Sequence, residues 1–299
     1  MKCRLLSAVV LAGCLAAPAV ADELHARVSP GHGAGSNVVN SASVGRGQPS
    51  RLERRRRRVP GPIAGKGYTK RFDHGFDKLN RRVWADREWW EERPPPNSIY
   101  VRKGVLHLVS RRSQDYRNVT VTSEPHGRGT GRSFRYGYFE ARLKWTKGNG
   151  SWPAFWLLST AHATNPNWPR PACPRPTCLA AELDVFEGQG SQPNVFYGTI
   201  HRNSCDCYQV PDRQNGNNHR RVGVDLSADF HVYGMLWTAS EIRWYLDGRF
   251  LMRTPVYDST NQRMHLLLYM WTGGWTVGTN ATTPDELHTE VDWVRVWQR

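Results

Sequence analysis

"AELDVFEG", residues Ala181–Gly188, sets three carboxylates, Glu182, Asp184 and Glu187, within a few positions of one another. A helix, turning about 100° per residue, would spread them over different faces. In a regular strand Glu182 and Asp184 share a face, while Glu187, an odd number of steps away, points to the other. One extra residue absorbed as a β-bulge restores the parity and returns Glu187 to the side of the other two acids. The stretch therefore predicts an irregular strand, with apolar Leu183, Val185 and Phe186 supplying a packed back face.

The segments around it alternate in the same way. "GVLHLVS" from Gly104, "YGYFEARLKW" from Tyr136, "EIRWYLDGRFLMR" from Glu241 and the terminal "EVDWVRVWQR" all have the period of two expected of half-buried strands. Asp247-Gly248 is a two-residue hairpin turn, and "FWLLST" and "MHLLLYMW" read as strands buried on both faces. No stretch carries a capped helical stripe, and no internal repeat suggests a propeller. The expected class is all-β, a two-sheet β-sandwich or jelly roll curved to form a concave cleft for an extended polymer.

The N-terminus has a different character. Lys2 and Arg4 precede an apolar run from Leu5 to Leu15 and the small-x-small pattern Ala19-Val20-Ala21, which predicts a signal peptide over 1–21 and a secreted or periplasmic protein. "LAGC", ending at Cys14, is a rival lipoprotein processing site. A transmembrane helix needs about 20 apolar residues, and Pro18 interrupts a run that is already too short. Residues 22–62 are a Ser-, Gly-, Pro- and Arg-rich linker ending near the run Arg54–Arg58, which is either a solvated charge block or an anchor to anionic polymer. Of the net charge of +15, residues 59–299 retain +8, so an acidic substrate stays open. Cleavage after Ala21 leaves Cys173, Cys178, Cys205 and Cys207, enough for two disulfides in one of three pairings. Cys-x-Cys is a poor zinc arm. The remainder, 63–299, is long enough for one large catalytic domain.

With the bulge, Glu182 and Glu187 stand four effective strand steps apart, about 13 Å between Cα atoms. Side chains leaning toward each other reach the ~5 Å carboxyl separation of retaining glycosidases. One glutamate then attacks the sugar and the other protonates the leaving oxygen. Three carboxylates this close do not all ionise cheaply, which favours one protonated acid near neutral pH. We read Glu182 as nucleophile, Asp184 as the neighbour that orients it and shares a proton, and Glu187 as acid/base. No cofactor is required.

At "ELDVFE" the chain resembles glycoside hydrolase family 16, in the bulged Glu-x-Asp-x-x-Glu form of laminarinases, agarases and carrageenases. "VRKGVLHL", "YGYFEARLK", "GSWPAFWLLS", "YGTIH", "FHVYGMLWTASEIRWYLDG" and "VDWVRVWQ" agree in order and spacing. The resemblance implies the same three roles for Glu182, Asp184 and Glu187, and places His201 on a neighbouring strand near the acid/base. It implies that Trp152 lies in the cleft. Trp271 and Trp275 are further candidates for stacking on sugar rings; Trp244, Trp293 and Trp297 are read as structural. It also implies a structural calcium on the convex side, held by Gly104, Asp292 and a carbonyl from Arg71.

The expected activity is retaining endo-hydrolysis of a β-linked polysaccharide, with a β-1,3- or β-1,3/1,4-glucan as first choice. An acidic galactan or exopolysaccharide, transfer between glycan chains, and a non-catalytic lectin are the alternatives. A monomer that binds polysaccharide and no nucleic acid is expected.

Overall fold

A computed structural model of the protein describes residues 60–124, 132–160, 179–204, 219–256 and 258–299. The alternating segments form strands: β1 (Thr69–Gly75), β2 (Ile99–Arg102), β3 (Val105–Arg111), β4 (Val119–Thr122), β5 (Ser133–Phe134), β6 (Gly137–Trp145), β7 (Ser151–Ser159) and β8 (Leu179–Glu187). After β8 come β9 (Val195–Tyr197), β10 (Ile200–Ser204), β11 (His219–Arg221), β12 (His231–Trp237), β13 (Glu241–Leu246), β14 (Arg249–Pro255), β15 (Met264–Thr272) and β16 (Glu286–Gln298).

Among the described residues they build two eight-stranded sheets. The first runs β14-β13-β12-β6-β16-β3-β2, with β1 also paired to β16. The second runs β11-β9-β8-β7-β15-β4, with β10 on β8 and β5 on β15. Asp247 and Gly248 take φ of 50° and 80° between β13 and β14, the doubly left-handed geometry that a two-residue hairpin requires.

The core lies between the sheets. Phe139, Ala141 and Leu143 of β6 and Val291, Val294 and Val296 of β16 meet Phe155 and Leu157 of β7, Leu183, Val185 and Phe186 of β8, and Leu266, Leu268 and Met270 of β15. As "FWLLST" and "MHLLLYMW" suggested, β7 is buried throughout and β15 from Met264 to Met270. Alternation therefore assigns Trp152, Ala154, Trp156, Leu267, Tyr269 and Trp271 to the second sheet's far face.

Ordered packing reaches back to Pro62, which the sequence reading placed in the linker. Pro62 and Ile63 are buried in a short 3-10 turn, Gly61–Ile63, and Ile63 joins a small cluster with Tyr138, Leu236, Tyr245 and Trp297. The signal peptide over 1–21, the Cys14 site, the Arg54–Arg58 run and the disulfide candidates Cys173, Cys178, Cys205 and Cys207 lie outside the described residues. No helix among the described residues is long and apolar enough to cross a membrane.

Candidate active site

The irregularity expected in "AELDVFEG" is present at Val185. Across β7 and β8, Phe155 faces Phe186 and the next residue, Trp156, faces Asp184, so Val185 has no partner of its own. Glu187 consequently faces Ala154 while Glu182 faces Leu158, four partner steps spanning five residues. Val185 and Phe186, neighbours in sequence, are both fully buried in the core. Burying side chains of this size contributes roughly 1.5–3 kcal/mol each, and the bulge lets these two neighbours both gain it in the same inter-sheet core.

The bulge's backbone is also satisfied. Asp184 N–H donates to Thr199 O at 2.9 Å, and the indole of Trp244, reaching through the core from β13, donates to Asp184 O at 2.7 Å. Gly198 makes room for that indole, since a Cβ there would collide with it. Trp244 is thus a packing residue that also supports the backbone of β8 directly.

Glu187 is 8 % exposed and Asp184 2 %. Three donors converge on Glu187 Oε1: Trp152 Nε1 at 2.8 Å, Trp275 Nε1 at 3.3 Å and the Tyr269 hydroxyl at 3.5 Å. Burial, reinforced by the negative charge of Asp184, pushes the Glu187 carboxyl up from 4.5 to about 7, against the opposing pull of His201 and the two indoles. A carboxyl poised there is suited to giving a proton near neutral pH and taking it back. Glu182 is half-buried and lies opposite His201 of β10. His201 Nε2 sits 3.0 Å from Asp184 Oδ2, so the histidine touches the middle acid first. Donor atoms of Glu182, Asp184 and His201 all come within 4.8 Å of one another, a set able to accept a proton or a cation.

The aromatic residues divide by role. Trp152 is only 8 % exposed and meets Tyr269, Trp271 and Trp275 edge to face, so it acts chiefly as a hydrogen-bond donor to Glu187. Gly273 and Gly274 take consecutive left-handed φ values of 74° and 64°, and a Cβ on Gly274 would run into the Trp152 ring. Trp271 and Trp275 are half-buried and keep accessible ring surface. Trp271 stacks on Tyr269 with ring centres 4.7 Å apart, and Trp275 meets Tyr197 at 4.8 Å.

Several residues packed around the acids and indoles escaped the sequence reading. Tyr269 and Tyr197 read as plain strand residues. Trp271 Nε1 donates to Thr120 Oγ1 at 2.9 Å, and the Thr120 hydroxyl donates to Glu91 Oε1 at 2.7 Å. Glu91 Oε2 in turn accepts Glu88 N–H at 2.7 Å. Burial pushes Glu91 up to about 7 despite these donors. Glu91 belongs to "DREWWEER", whose acids look like solvated charge; only the Glu-Trp-Trp-Glu spacing hinted at a packed turn.

Of the calcium donors carried by the resemblance, Gly104 and Asp292 come near each other and Arg71 does not. Gly104, with φ of 75°, turns β2 into β3, and the register brings that turn near Asp292, the bulged residue of β16. Arg142 Nη1 already occupies Asp292 Oδ2 at 2.9 Å, and its guanidinium packs on Phe230. Arg71 lies in the irregular step of β1 between the partners Trp297 and Val296, at the other end of the shared ladder from Asp292. A cationic partner on the one carboxylate and a third donor far along the strand do not fit a hard dication that needs six or more oxygens.

Comparison with known proteins adds to this geometry. The family model described as Beta-porphyranase A-D, GH16 domain, matches residues 68–299. A beta-glucanase of Rhodothermus marinus is 29 % identical over 230 residues, covering 72 % of this chain and 76 % of its own. A keratan-sulfate endo-1,4-beta-galactosidase of Sphingobacterium multivorum is 29 % identical over 242 residues, covering 75 % of this chain and 52 % of its own. Among solved structures, the endo-beta-1,3-glucanase of Pyrococcus furiosus superposes with a TM-score of 0.61 at 23 % identity, covering 77 % of this chain and 94 % of that one, which bears on the fold.

Proposed function

The chain belongs to glycoside hydrolase family 16 and is an O-glycosyl hydrolase, an endo-β-glycanase; on that premise we propose that it is secreted and works by retention, with Glu182 as nucleophile and Glu187 as acid/base. The observation that carries this reading is the bulge at Val185, which returns Glu187 to the face of Glu182 and Asp184 beneath its indole donors.

In the first step a Glu182 oxygen bonds to the anomeric carbon as the glycosidic C–O bond breaks, and Glu187 gives its proton to the leaving oxygen. In the second, water attacks the same carbon, gives its proton to the Glu187 carboxylate, and Glu182 leaves. Asp184, held by His201, keeps a negative charge beside Glu187 and thereby favours the protonated acid. Tyr269 and Trp152 hold one oxygen of the Glu187 carboxyl by their hydrogen bonds. Trp271 and Trp275 offer the indole surfaces on which sugar rings stack.

The substrate we favour is a β-1,3- or β-1,3/1,4-glucan, supported by the beta-glucanase relative. A sulfated or otherwise acidic galactan is the second reading, and a specific observation favours it. His219 and Arg221 of β11 are exposed at the edge of the catalytic sheet, and His219 lies 5.6 Å from Tyr197, which itself faces Glu187. The fixed positive charge of Arg221 and the imidazole N–H of His219 suit an anionic sugar. The porphyranase family model and the keratan-sulfate galactosidase point the same way. Reducing-end release from a panel of neutral glucans and sulfated galactans separates the two.

Azide rescue tests the assignment. Azide should restore turnover to Glu187→Ala through the glycosyl-enzyme and give the β-azide, and should restore Glu182→Ala by single displacement and give the α-azide. The opposite anomers, or wild-type hydrolysis by Glu182→Gln or Glu187→Gln, would overturn it.

A further inference from the structure

The first sheet carries a second cluster of coordinating side chains, remote in chemistry from the acids of β8. Leu106 and Leu108 of β3 and Leu287 and Val291 of β16 point into the core. Alternation therefore turns His107, His288 and Glu290 to the sheet's outer face. The register sets Glu290 directly opposite His107, with His288 two residues along the same strand. One ligand atom from each of the three comes within 4.8 Å of the others.

The environment of these residues is that of a built site. His107 is 6 % exposed, and its ring is clamped by Tyr100, stacked at 4.7 Å and 10°. Its Nδ1 is buried without a hydrogen-bond partner, with Glu290 Oε1 3.7 Å away, too far for one. His288 Nδ1 is also buried and without a partner, while its Nε2 lies 3.0 Å from Glu286 Oε2. A carboxylate on one imidazole nitrogen fixes the tautomer and leaves the other nitrogen as a lone-pair donor, the arrangement that orients metal-binding histidines. Leaving two imidazole nitrogens buried and unsatisfied is costly unless something binds them.

We propose that His107, His288 and Glu290 form a binding site for a zinc-like divalent transition ion, with Glu286 orienting His288. Two imidazoles and one carboxylate suit Zn²⁺, Co²⁺ or Ni²⁺ and do not suit calcium. Tetrahedral ligand atoms stand about 3.3 Å apart, and Glu290, whose side chain is 31 % exposed, has the freedom to close the remaining gap. A fourth position is left for water. Lys144, opposite Glu290 on β6, and Arg102 beside His107 are the cations the site must tolerate. Bound metal would staple β3 to β16 on the sheet that does not carry the catalytic acids, so it should stabilise the fold without entering the reaction.

The test uses the untagged full chain, stripped with chelator and titrated with ZnCl₂ and CoCl₂ by calorimetry, thermal melting and visible absorption. One ion per chain, a raised melting temperature and a cobalt band without thiolate charge transfer are expected. His288→Ala and Glu290→Gln should each weaken binding at least tenfold, and Glu286→Gln about tenfold. Glu182→Gln should bind as the unmodified chain does, since it disables the other set of donors. Absence of binding, or an unchanged isotherm in His288→Ala and Glu290→Gln, would overturn the proposal.

Discussion

Trp152→Phe probes how Glu187 is tuned. The indole N–H donates at 2.8 Å to a buried carboxyl, and a hydrogen bond to a charged group contributes about 1.5–3 kcal/mol. Trp275 and Tyr269 remain on the same oxygen at 3.3 and 3.5 Å, so the low end, about 1.5 kcal/mol, is the loss to expect. The donor favours the ionised form, so removing it favours the protonated one. At 1.36 kcal/mol per tenfold, the alkaline limb of kcat/KM should move up by about one pH unit from its position near 7. Phenylalanine keeps a ring against Tyr269 and Trp271, and thermal melting checks that the variant is folded. The assay is reducing-end release from soluble β-glucan at low substrate across pH 5 to 10. A limb that stays in place or moves down would refute the assignment of Glu187 as the acid tuned by this indole.

Asp184→Asn should move the same limb the other way, because it removes the negative charge that disfavours ionisation of Glu187; pH profiles of the two variants are compared directly. Glu187→Gln should abolish hydrolysis yet stabilise the fold in alkaline solution. The raised carboxyl contributes its full stability below the ordinary 4.5 and loses it as pH rises through about 7, a span worth about 3 kcal/mol, so urea unfolding should show the variant's advantage growing from pH 4 to 8. Thr120→Val breaks the link between Trp271 and Glu91, and losing about 1 kcal/mol of positioning should raise KM about fivefold with kcat nearly unchanged. A fall in kcat with KM fixed would count against Trp271 as a sugar platform.

Much of the active site was legible because strand parity is a local rule. The three acids of "AELDVFEG" fit one face only with an extra residue between them, and Leu183, Val185 and Phe186 marked the buried side. Trp152 was placed in the cleft by resemblance and Trp275 was read as a sugar platform; that both give their N–H to one oxygen of Glu187 is a matter of how distant segments meet. Glu91 was hidden for a different reason. In sequence an acid flanked by charge reads as solvated, and only packing of its turn against β4 buries it under Thr120. Arg71 was separated from Asp292 by register, which, rather than residue type, decides which donors meet.

The sequence by itself determined the all-β class, the bulged strand and the identity of its three acids, since these follow from periodicity and side-chain chemistry within a few residues. The tertiary structure alone decided the electrostatics. β7, β8, β10 and β15 are brought together by pairing, and only that pairing, with the Gly273–Gly274 turn after β15, places two indoles and a tyrosine on Glu187 and a histidine on Asp184. Burial and charge proximity set a proton affinity, and both are properties of distance in space that a linear pattern does not contain.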